Sequence, residues 1–489
     1  MEANRLFEKI CAVFGRVKGA RISAGGCRGS AFAVVLALPC ALVTRPESGR
    51  TLMGFKYWSA CAASTIALAS RACSLSAGVL GGCVALALAG LLPPIPALAQ
   101  SDAAARYLAG LPLPEDSAYQ ALADDHWRAH KQAFDTAWQA LDRDSFQPMR
   151  QWQDEILAAE IDPRLPLFYP FGGPDMAHAL MLYPRSPEYL LFGLEPPGSL
   201  ALHPDTPPLE RHRLLDALRW ALRDIYQRGY FITGRMSSDL NPAKLDGVLP
   251  LLLVFIVRGG HEVLEIEQVD LTSDGQFKAR STEEAPRDAA AGVTDEQAET
   301  TTAECPPIPG VRVRFRANDG GPEKQVTYLK RDVSDQGLGD CTALEHVIET
   351  LGPTNTFVKS ASYLMHYATF SRIRALTLAA SDSLLQDDTG IPYRALDQAE
   401  WDILLFGRYT QPIRDFNGVF QPDLDQAYLT KAHPIDELPF SMGYHWWTSD
   451  QNHLLARRRP VRTESGSQDV PKEKPAEDKP SNKAVTQAR

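Results

Sequence analysis

Helical spacing of apolar positions marks four stretches of this chain. Between residues 117 and 160, and over 208–228, 342–351 and 371–380, apolar side chains recur every three or four positions, as on one face of an amphipathic helix. We therefore predict a helical lead-in over residues 100–162, followed by a body that contains further helices.

Two other apolar stretches must be assigned to helix or strand. Residues 356–367 have helical spacing and predict a helix. The continuous apolar run at 251–257 fits two structures. Pro250 before it and Gly259 and Gly260 after it suit the ends of a buried helix, whereas the same glycine pair would turn a hairpin into the strand that follows. The pattern leaves this run open between helix and strand.

Alternation of apolar and polar residues with a period of two predicts strands. The clearest case is a hairpin, in which residues 311–317 and 324–333 flank a turn of Asn, Asp, Gly, Gly and Pro. Because strands and helices do not alternate regularly, the predicted fold class is α+β, with a mostly antiparallel sheet flanked by helices. Further strands are predicted at 189–194, 263–269, 401–409 and, as a short aromatic strand, 440–447.

Two segments contain too few apolar residues to form a core. Residues 273–304 are rich in Ser, Thr, Ala, Glu and Asp, with Phe277 as their single aromatic residue, and residues 457–489 have no aromatic residue. Burial of so little apolar surface does not offset the entropy lost on ordering. We predict a disordered insertion at 273–304, within a body that spans 163–456, and a disordered tail at 457–489.

The charge of the chain is divided unevenly. Residues 1–99 carry ten Lys and Arg against three Asp and Glu, whereas residues 100–489 carry forty against fifty-seven. Because the acidic remainder repels phosphate, no nucleic acid is expected among its partners. The partner we expect is an envelope component or a small molecule, which the sequence does not identify.

The basic leader, residues 1–99, has the layout of a secretory signal. An apolar run at 75–92 precedes a proline pair, and Ala97 and Ala99 flank Leu98 in a small–x–small cleavage motif. We predict cleavage after Ala99, with Met53 as a candidate true start, and export to the periplasm or the extracellular space.

The same apolar run offers two routes to membrane attachment. Residues 75–92 are long enough for a marginal spanning helix that would be retained as an anchor. Cys83 follows Leu80, Gly81 and Gly82 as in a lipoprotein motif, although it lies inside the apolar run. Small residues, and no cluster of Lys and Arg, follow the run, which favours cleavage. Membrane contact is expected only through an uncleaved signal or a lipid anchor.

Six of the eight cysteines lie in the leader, which leaves Cys305 and Cys341 in the mature chain. These two flank the predicted hairpin, whose outer ends meet, and an exported protein reaches an oxidising compartment. A disulfide between them would close a loop of about 36 residues and contribute about 3–4 kcal/mol in the chain-entropy model. Two buried free thiols are the alternative.

Candidate chemistry lies in two polar segments. In the first, Gly173, Pro174 and Asp175 match the start of a helix, with the glycine at the cap, the proline in the first turn and the carboxylate beside the positive end of the dipole. Asp175 and His178 would share a helical face and form a weak metal pair, but a metal needs a third ligand, such as Glu195. We predict no metal and no other cofactor.

The second polar segment places Asp387 and Asp388 before a Thr-Gly pair. These carboxylates could form a general acid and base with Asp175 or Glu195, or bind a cation through oxygen ligands. A tight turn accounts for the same residues, since Asp and Thr bond to local backbone and Gly adopts positive φ. The common signatures of hydrolases and cofactor sites, such as G-x-S-x-G and the Walker loop, are missing from the sequence. The candidate catalytic residues are therefore Asp387, Asp388, Asp175 and Glu195.

Three motifs resemble a family of exported, uncharacterised bacterial proteins: YPFxGPD at 169–175, YLLFGLEP at 189–196 and LQDDTGIPYR at 385–394. The similarity covers most of residues 165–456 apart from the insertion at 273–304. It implies a bacterial envelope protein and carries over no activity and no functional residue. We expect a non-catalytic binding or envelope-maintenance module, with an envelope hydrolase that uses paired carboxylates as the alternative.

Overall fold

The computed structural model describes residues 97–200, 202–240, 245–280, 305–416, 418–446 and 450–460. The helices are α1 Ala97–Leu108, α2 Asp125–Leu141, α3 Gln147–Trp152, α4 Ala158–Glu160, α5 Met176–Leu182, α6 Pro208–Ala221, α7 Arg223–Arg228, α8 Thr233–Asp239, α9 Leu249–Arg258, α10 Asp335–Leu338, α11 Ala343–Leu351, α12 Ser371–Ala380 and α13 Pro422–Thr430. The strands are β1 Leu167–Tyr169, β2 Glu188–Gly193, β3 His261–Leu271, β4 Phe277–Ala279, β5 Ile308–Ala317, β6 Lys324–Lys330, β7 Thr354–Val358, β8 Ser381–Gln386, β9 Trp401–Gly407, β10 Ile435–Asp436 and β11 Asn452–Arg458.

The strands of the described part form one mixed sheet in the order β10–β9–β11–β8–β7–β1–β2–β6–β5–β3–β4. Its central block, from β8 through β7, β1 and β2 to β6, is parallel. Antiparallel pairing on the two flanks accounts for most of the paired residues. The predicted α+β class with a mostly antiparallel sheet is confirmed, and the predicted hairpin is β5 and β6.

The sheet separates two apolar cores. Because side chains alternate along a strand, Phe357 and Leu385 enter one core, whereas their neighbours Val358 and Leu384 enter the other. Helices α1, α5 and α9 contribute to the first core, and α11, α12 and α13 to the second. Both faces of the sheet are therefore covered, as a parallel block requires.

The helical lead-in continues from α2 to α4 through two π-helical segments, Asp142–Phe146 and Gln153–Leu157. Trp152 of α3 packs edge-on against Phe406 and Phe440, with ring centroids 5.0 and 5.4 Å away. The lead-in is thus built into the first core rather than set apart from it.

The run left open at 251–257 lies within helix α9. Every residue from Leu249 to Val257 is buried, and Pro250 lies in the first turn, where its missing N–H is harmless. A helix that is buried all round has no polar face. Periodicity alone therefore could not separate it from a buried strand.

Two predicted elements are wrong. The helix predicted at 356–367 is strand β7 followed by an irregular turn, because β7 lies at the centre of the sheet with all five of its residues buried. Polar residues inside β7 concealed the strand: Thr356 receives a hydrogen bond from Ser381. The aromatic strand predicted at 440–447 contains the 3₁₀ helix Gly443–His445 instead, and residue 447 lies outside the described part.

Both predictions of disorder extend too far. Strand β4 lies inside the 273–304 segment and pairs with β3, and the Phe277 ring lies 4.5 Å from the guanidinium of Arg312. Strand β11 runs to Arg458, whose guanidinium lies 4.5 Å from the Trp401 ring, so the predicted tail begins too early. Contacts between neighbouring strands therefore order the residues near the start of each predicted disordered segment. The remainder of each prediction, at 281–304 and 461–489, lies outside the described residues.

Cys305 and Cys341 form the predicted disulfide, with Cα atoms 5.1 Å apart, which rules out the alternative of two free thiols. Most of the predicted leader, including Met53 and the run at 75–92, lies outside the described residues, and the predicted cleavage position after Ala99 falls inside α1. No helix in the described part of the chain is long and apolar enough to cross a membrane.

Candidate functional site

A cavity of about 490 Å³ opens at the carboxyl edge of the parallel block. The segments that follow β1, β2, β6 and β7 all contribute to its wall. From β1 the chain proceeds to β2 on one side, whereas from β7 it proceeds to β8 on the other. Ligands of open α/β sheets bind in the crevice that such a reversal of strand order creates.

The segment after β1 carries the first polar motif into this cavity. Gly173 has a φ of 53°, and its N–H donates to the carbonyl of Phe192 at 2.8 Å, which ties the segment to β2. Asp175 caps α5 by accepting from the N–H of His178. The predicted helix start is therefore present, with Asp175 rather than Gly173 as its capping residue.

A buried polar cluster forms part of the cavity wall, at the point where β1 and β7 end. The Asp175 carboxylate accepts hydrogen bonds from His178 Nδ1 at 2.8 Å and from the Tyr169 hydroxyl at 3.1 Å. Lys359, the first residue after β7, lies with its Nζ 2.5 Å from Asp175 Oδ2 and 3.0 Å from His178 Nδ1. This lysine was not among the predicted site residues.

Burial and charge act in opposite directions within this cluster. Burial alone would raise the pKa of Asp175, but His178 and the Lys359 ammonium outweigh it and hold that pKa below its ordinary value. Burial lowers the pKa of Lys359, and Asp175 offsets only part of this effect. Asp175 is thus ionised and paired with Lys359, which fills the place that a metal beside Asp175 and His178 would take. No group of three or more metal-binding side chains is present among the described residues.

The turn after β7 is strained. Ser360, Ser362 and Tyr363 have φ values of 53°, 55° and 57°, in the left-handed region that residues other than glycine rarely adopt. Asp387 holds this turn by accepting from the Ser360 N–H at 2.7 Å, and Thr389 Oγ1 accepts from the Ala361 N–H at 2.8 Å. The second polar motif therefore fixes the conformation of the β7 turn.

Asp387 and Asp388 lie beside this turn and outside the lining of the cavity. Asp388 accepts from the Tyr363 hydroxyl at 2.5 Å and from the Asn452 amide at 3.2 Å. Burial, with the neighbouring charge of Asp388, raises the pKa of Asp387 to about 6. These backbone and side-chain contacts are the ones expected of a turn.

Glu195 lies in the cavity wall just beyond the end of β2. It is 4% exposed, and burial raises its pKa. Its Oε1 has no hydrogen-bond partner within the described part of the chain. Of the four carboxylates predicted from the sequence, Asp175 and Glu195 therefore line the cavity, whereas Asp387 and Asp388 support it from behind.

Aromatic rings form much of the remaining wall. Tyr444 packs edge-on against both Tyr230 and Phe416, with ring centroids 4.7 Å away in each case. Phe171 and Phe370, whose ring centroids lie 6.5 Å apart, also line the cavity. The site thus combines flat aromatic surfaces with charged and hydroxyl side chains, and small-molecule sites likewise join apolar walls to placed polar groups.

Sequence reasoning missed Lys359 and Ser360 as site residues because the prediction of a helix over 356–367 hid the end of β7. The one available signal was local: a run of Thr, Asn and β-branched or aromatic residues at 354–358, followed by small residues. Comparisons with protein-family models, with curated proteins and with solved structures give no match for this chain.

Proposed function

We propose that this protein binds a small organic cation, or an amine with an apolar body, in the cavity at the carboxyl edge of the parallel block. The observation that carries the proposal is the Glu195 carboxylate. It is buried in the cavity wall with one oxygen unpartnered among the described residues. Buried polar atoms are nearly always hydrogen-bonded, so a ligand that donates to Oε1 would satisfy it.

The aromatic wall supports the same class of ligand. The electron-rich faces of Tyr and Phe attract ammonium groups, by about 0.5–2 kcal/mol each depending on desolvation. The rim adds Asp332 and Asp415, both exposed, whereas the positive charge of Lys359 is paired with Asp175. Arg331 also lies in the wall, so with Lys359 and Asp175 paired the three carboxylates of Glu195, Asp332 and Asp415 less this one guanidinium leave a formal charge of −2 for a ligand.

Three benzyl compounds test this proposal by calorimetry and thermal shift: benzylamine, benzyltrimethylammonium and the neutral benzyl alcohol. We expect benzylamine, which has both a positive charge and N–H donors for Oε1, to bind more tightly than benzyltrimethylammonium, which has the charge alone, and at least about 10-fold more tightly than the neutral alcohol. In Glu195→Gln, which keeps the shape of the side chain, the preference for cations should disappear. Equal binding of all three compounds by the unaltered protein would contradict the proposal.

We further propose that the protein acts as an exported component of a bacterial envelope. The basic leader with its apolar run supports this, as does the disulfide, because such bonds persist in oxidising compartments. Mass spectrometry of the protein from its host tests it through the mature N-terminus. A first residue at Gln100 is expected, and a first residue well upstream would count against export.

The hydrolase with paired carboxylates gains no support from the described contacts. Asp387 binds the N–H groups of Ser360 and Thr389, and Asp388 binds Tyr363 and Asn452. Neither carboxylate belongs to the cavity wall, where a substrate would lie.

A further inference from the structure

We propose that Ser360 is the nucleophile of an ester hydrolase centred on this cavity, with Asp387 as the base that receives its proton. The inference goes beyond ligand binding and rests on the proposed function only through the shared cavity. It differs from the paired-carboxylate mechanism because the covalent bond forms on a serine, and Asp387 contacts that serine rather than the substrate.

The first observation is the position of Ser360. It follows β7, an inner strand of the parallel block, by two residues and lines the cavity. Its positive φ places it in a sharp turn at a strand end, which is how nucleophile elbows present a serine. Strain of this kind persists only where the surroundings enforce it, and it is concentrated at functional sites.

The second observation is the state of the hydroxyl. Ser360 Oγ is buried and has no hydrogen-bond partner among the described residues, although a buried hydroxyl normally has one. The other side chains of the strained turn are engaged. The Ser362 hydroxyl pairs with the Tyr444 hydroxyl at 2.7 Å, and Tyr363 donates to Asp388. Ser360 alone in this turn keeps a hydroxyl that no local bond uses.

The third observation is the base. Asp387 Oδ2 accepts from the backbone N–H of Ser360 itself, at 2.7 Å. A Cβ built on Gly443 would lie 2.9 Å from Ser360 Oγ and 3.1 Å from Asp387 Oδ2, so the hydroxyl and the carboxylate border the same small space. Catalytic hydrogen bonds are often long without substrate. Ser360 Oγ and Asp387 form no hydrogen bond in the free protein, and the proposal requires that one forms when the substrate binds.

The reaction balances without a co-reactant other than water. Ser360 Oγ attacks the carbonyl carbon of a carboxylic ester, and its proton passes to Asp387. The ester C–O bond breaks, and Asp387 returns the proton to the departing alcohol. Water then attacks the acyl-serine by the same route, and the carboxylic acid leaves with Ser360 regenerated. Splitting one hydrolysis into two steps through a covalent intermediate is how serine nucleophiles act.

A fluorophosphonate probe, which phosphonylates activated serines with loss of fluoride, tests the assignment on the full chain. We expect one adduct, located by peptide mass spectrometry to Ser360, and hydrolysis of p-nitrophenyl acetate by the untreated protein. Ser360→Ala should abolish the adduct and lower kcat/KM by about 100-fold or more. Asp387→Asn should slow labelling by about 10-fold or more.

Ser371→Ala is the matched control. Ser371 lies on the same tryptic peptide but outside the cavity wall, where its hydroxyl donates to Asp335 at 2.6 Å. Labelling and hydrolysis should match those of the unaltered protein, and thermal melting establishes that each variant is folded. No adduct, an adduct on another serine, or full hydrolysis by a folded Ser360→Ala would overturn the proposal. Cation binding by Ser360→Ala would leave the proposed binding function standing in any of these cases.

Discussion

Lys359 and Asp175 come from the ends of two neighbouring strands and are both almost fully inaccessible to water, at 3% and 2% exposure. A buried ion pair adds little to stability against an apolar pair of the same shape, but removal of one partner leaves an uncompensated charge. The Asp175 carboxylate also accepts hydrogen bonds from Tyr169 and His178, and the Lys359 ammonium is its ion-pair partner.

Replacement of Lys359 tests how much this ion pair contributes to stability. Lys359→Met should lower the free energy of unfolding by about 3–5 kcal/mol, measured by chemical denaturation, because it leaves the buried carboxylate of Asp175 without a counter-charge. The double variant Lys359→Met, Asp175→Asn should recover a large part of that loss, since asparagine removes the charge and still caps α5. A double variant as unstable as the single one would show that the ion pair is not the cause.

The stability that Asp387 contributes changes with pH in the direction opposite to that of a carboxylate in an ion pair. Its pKa in the folded protein is raised to about 6, so the folded state holds the proton more tightly than the unfolded chain does. The stability it contributes is fully present below the ordinary pKa of an aspartate and is lost as pH rises through about 6. The loss amounts to about 2–3 kcal/mol for this shift.

We therefore expect Asp387→Asn to become more stable relative to the unaltered protein as pH rises from 4 to 7. Denaturation of both proteins at several pH values measures this difference. The change of this stability difference with pH is the quantity to compare. Asparagine cannot accept hydrogen bonds from both Ser360 and Thr389, so the variant also loses a pH-independent amount of stability. A difference that does not change with pH, or that changes in the other direction, would contradict the assigned environment of Asp387.

At the residue scale, two of the residues predicted from the sequence, Asp175 and Glu195, line the cavity, and two lining residues, Lys359 and Ser360, were missed. Asp175 and Glu195 were predicted because they lie beside Gly and Pro residues, which restrict or free the backbone at their own positions and can be recognised from the local sequence. Lys359 and Ser360 lie in a segment without such marks. Their proximity to Asp175 depends on the parallel register of β1 with β7, which pairs Phe168 with Thr356 and which no local pattern encodes.

Among the elements, the π-helical segment Asp142–Phe146 has the clearest link to the site. It places Phe146 in the core, with ring centroids 5.6 Å from Trp138 and 5.7 Å from His178, both in edge-on contact. Because π-bulges insert an extra residue into a helix, the segment sets which side chain of the lead-in reaches His178. The lead-in therefore supports the polar cluster through packing.

Phe146→Ala tests this element. The ring is fully buried, so its removal should cost about 3–5 kcal/mol of unfolding free energy, as cavity-forming substitutions of phenylalanine do. Asp144→Ala, at an exposed position of the same π segment, should leave stability within experimental error. Similar effects of the two changes would mean that Phe146 does not join the lead-in to the core.

Helices and strands whose apolar periodicity is continuous along the sequence were predicted. An element whose buried polar residues bond to distant segments was not. The β5–β6 hairpin, α11 and α12 carry their own periodicity and turn residues. Strand β7 has Thr and Asn among its buried positions because Asn355 donates to the carbonyl of Asp162 and accepts from Ser383. Partners from distant segments satisfy these polar groups. The sequence of β7 therefore looks like that of an exposed segment, although the strand is buried in the structure.

Across the whole molecule, one covalent bond joins the antiparallel flank to the segment before α11. The Cys305–Cys341 disulfide closes a loop that contains β5, β6 and α10. Cys305→Ser, Cys341→Ser should lower the free energy of unfolding by about 3–4 kcal/mol. Reduction of the unaltered protein should lower it by the same amount and leave the double variant unchanged, by denaturation with and without reductant. If the stability of the unaltered protein does not change with reductant, the bridge does not contribute to it.

The place of β11 determines when the sheet can be completed. This strand, the last in the described part of the chain, lies between β9 and β8 and bonds to both. A ribosome must therefore translate the chain as far as residue 458 before those two neighbours gain their shared partner. Any shorter nascent fragment leaves their backbone N–H and C=O groups exposed, which invites aggregation. If export begins during translation, the first part of the chain reaches the membrane before this sheet is complete.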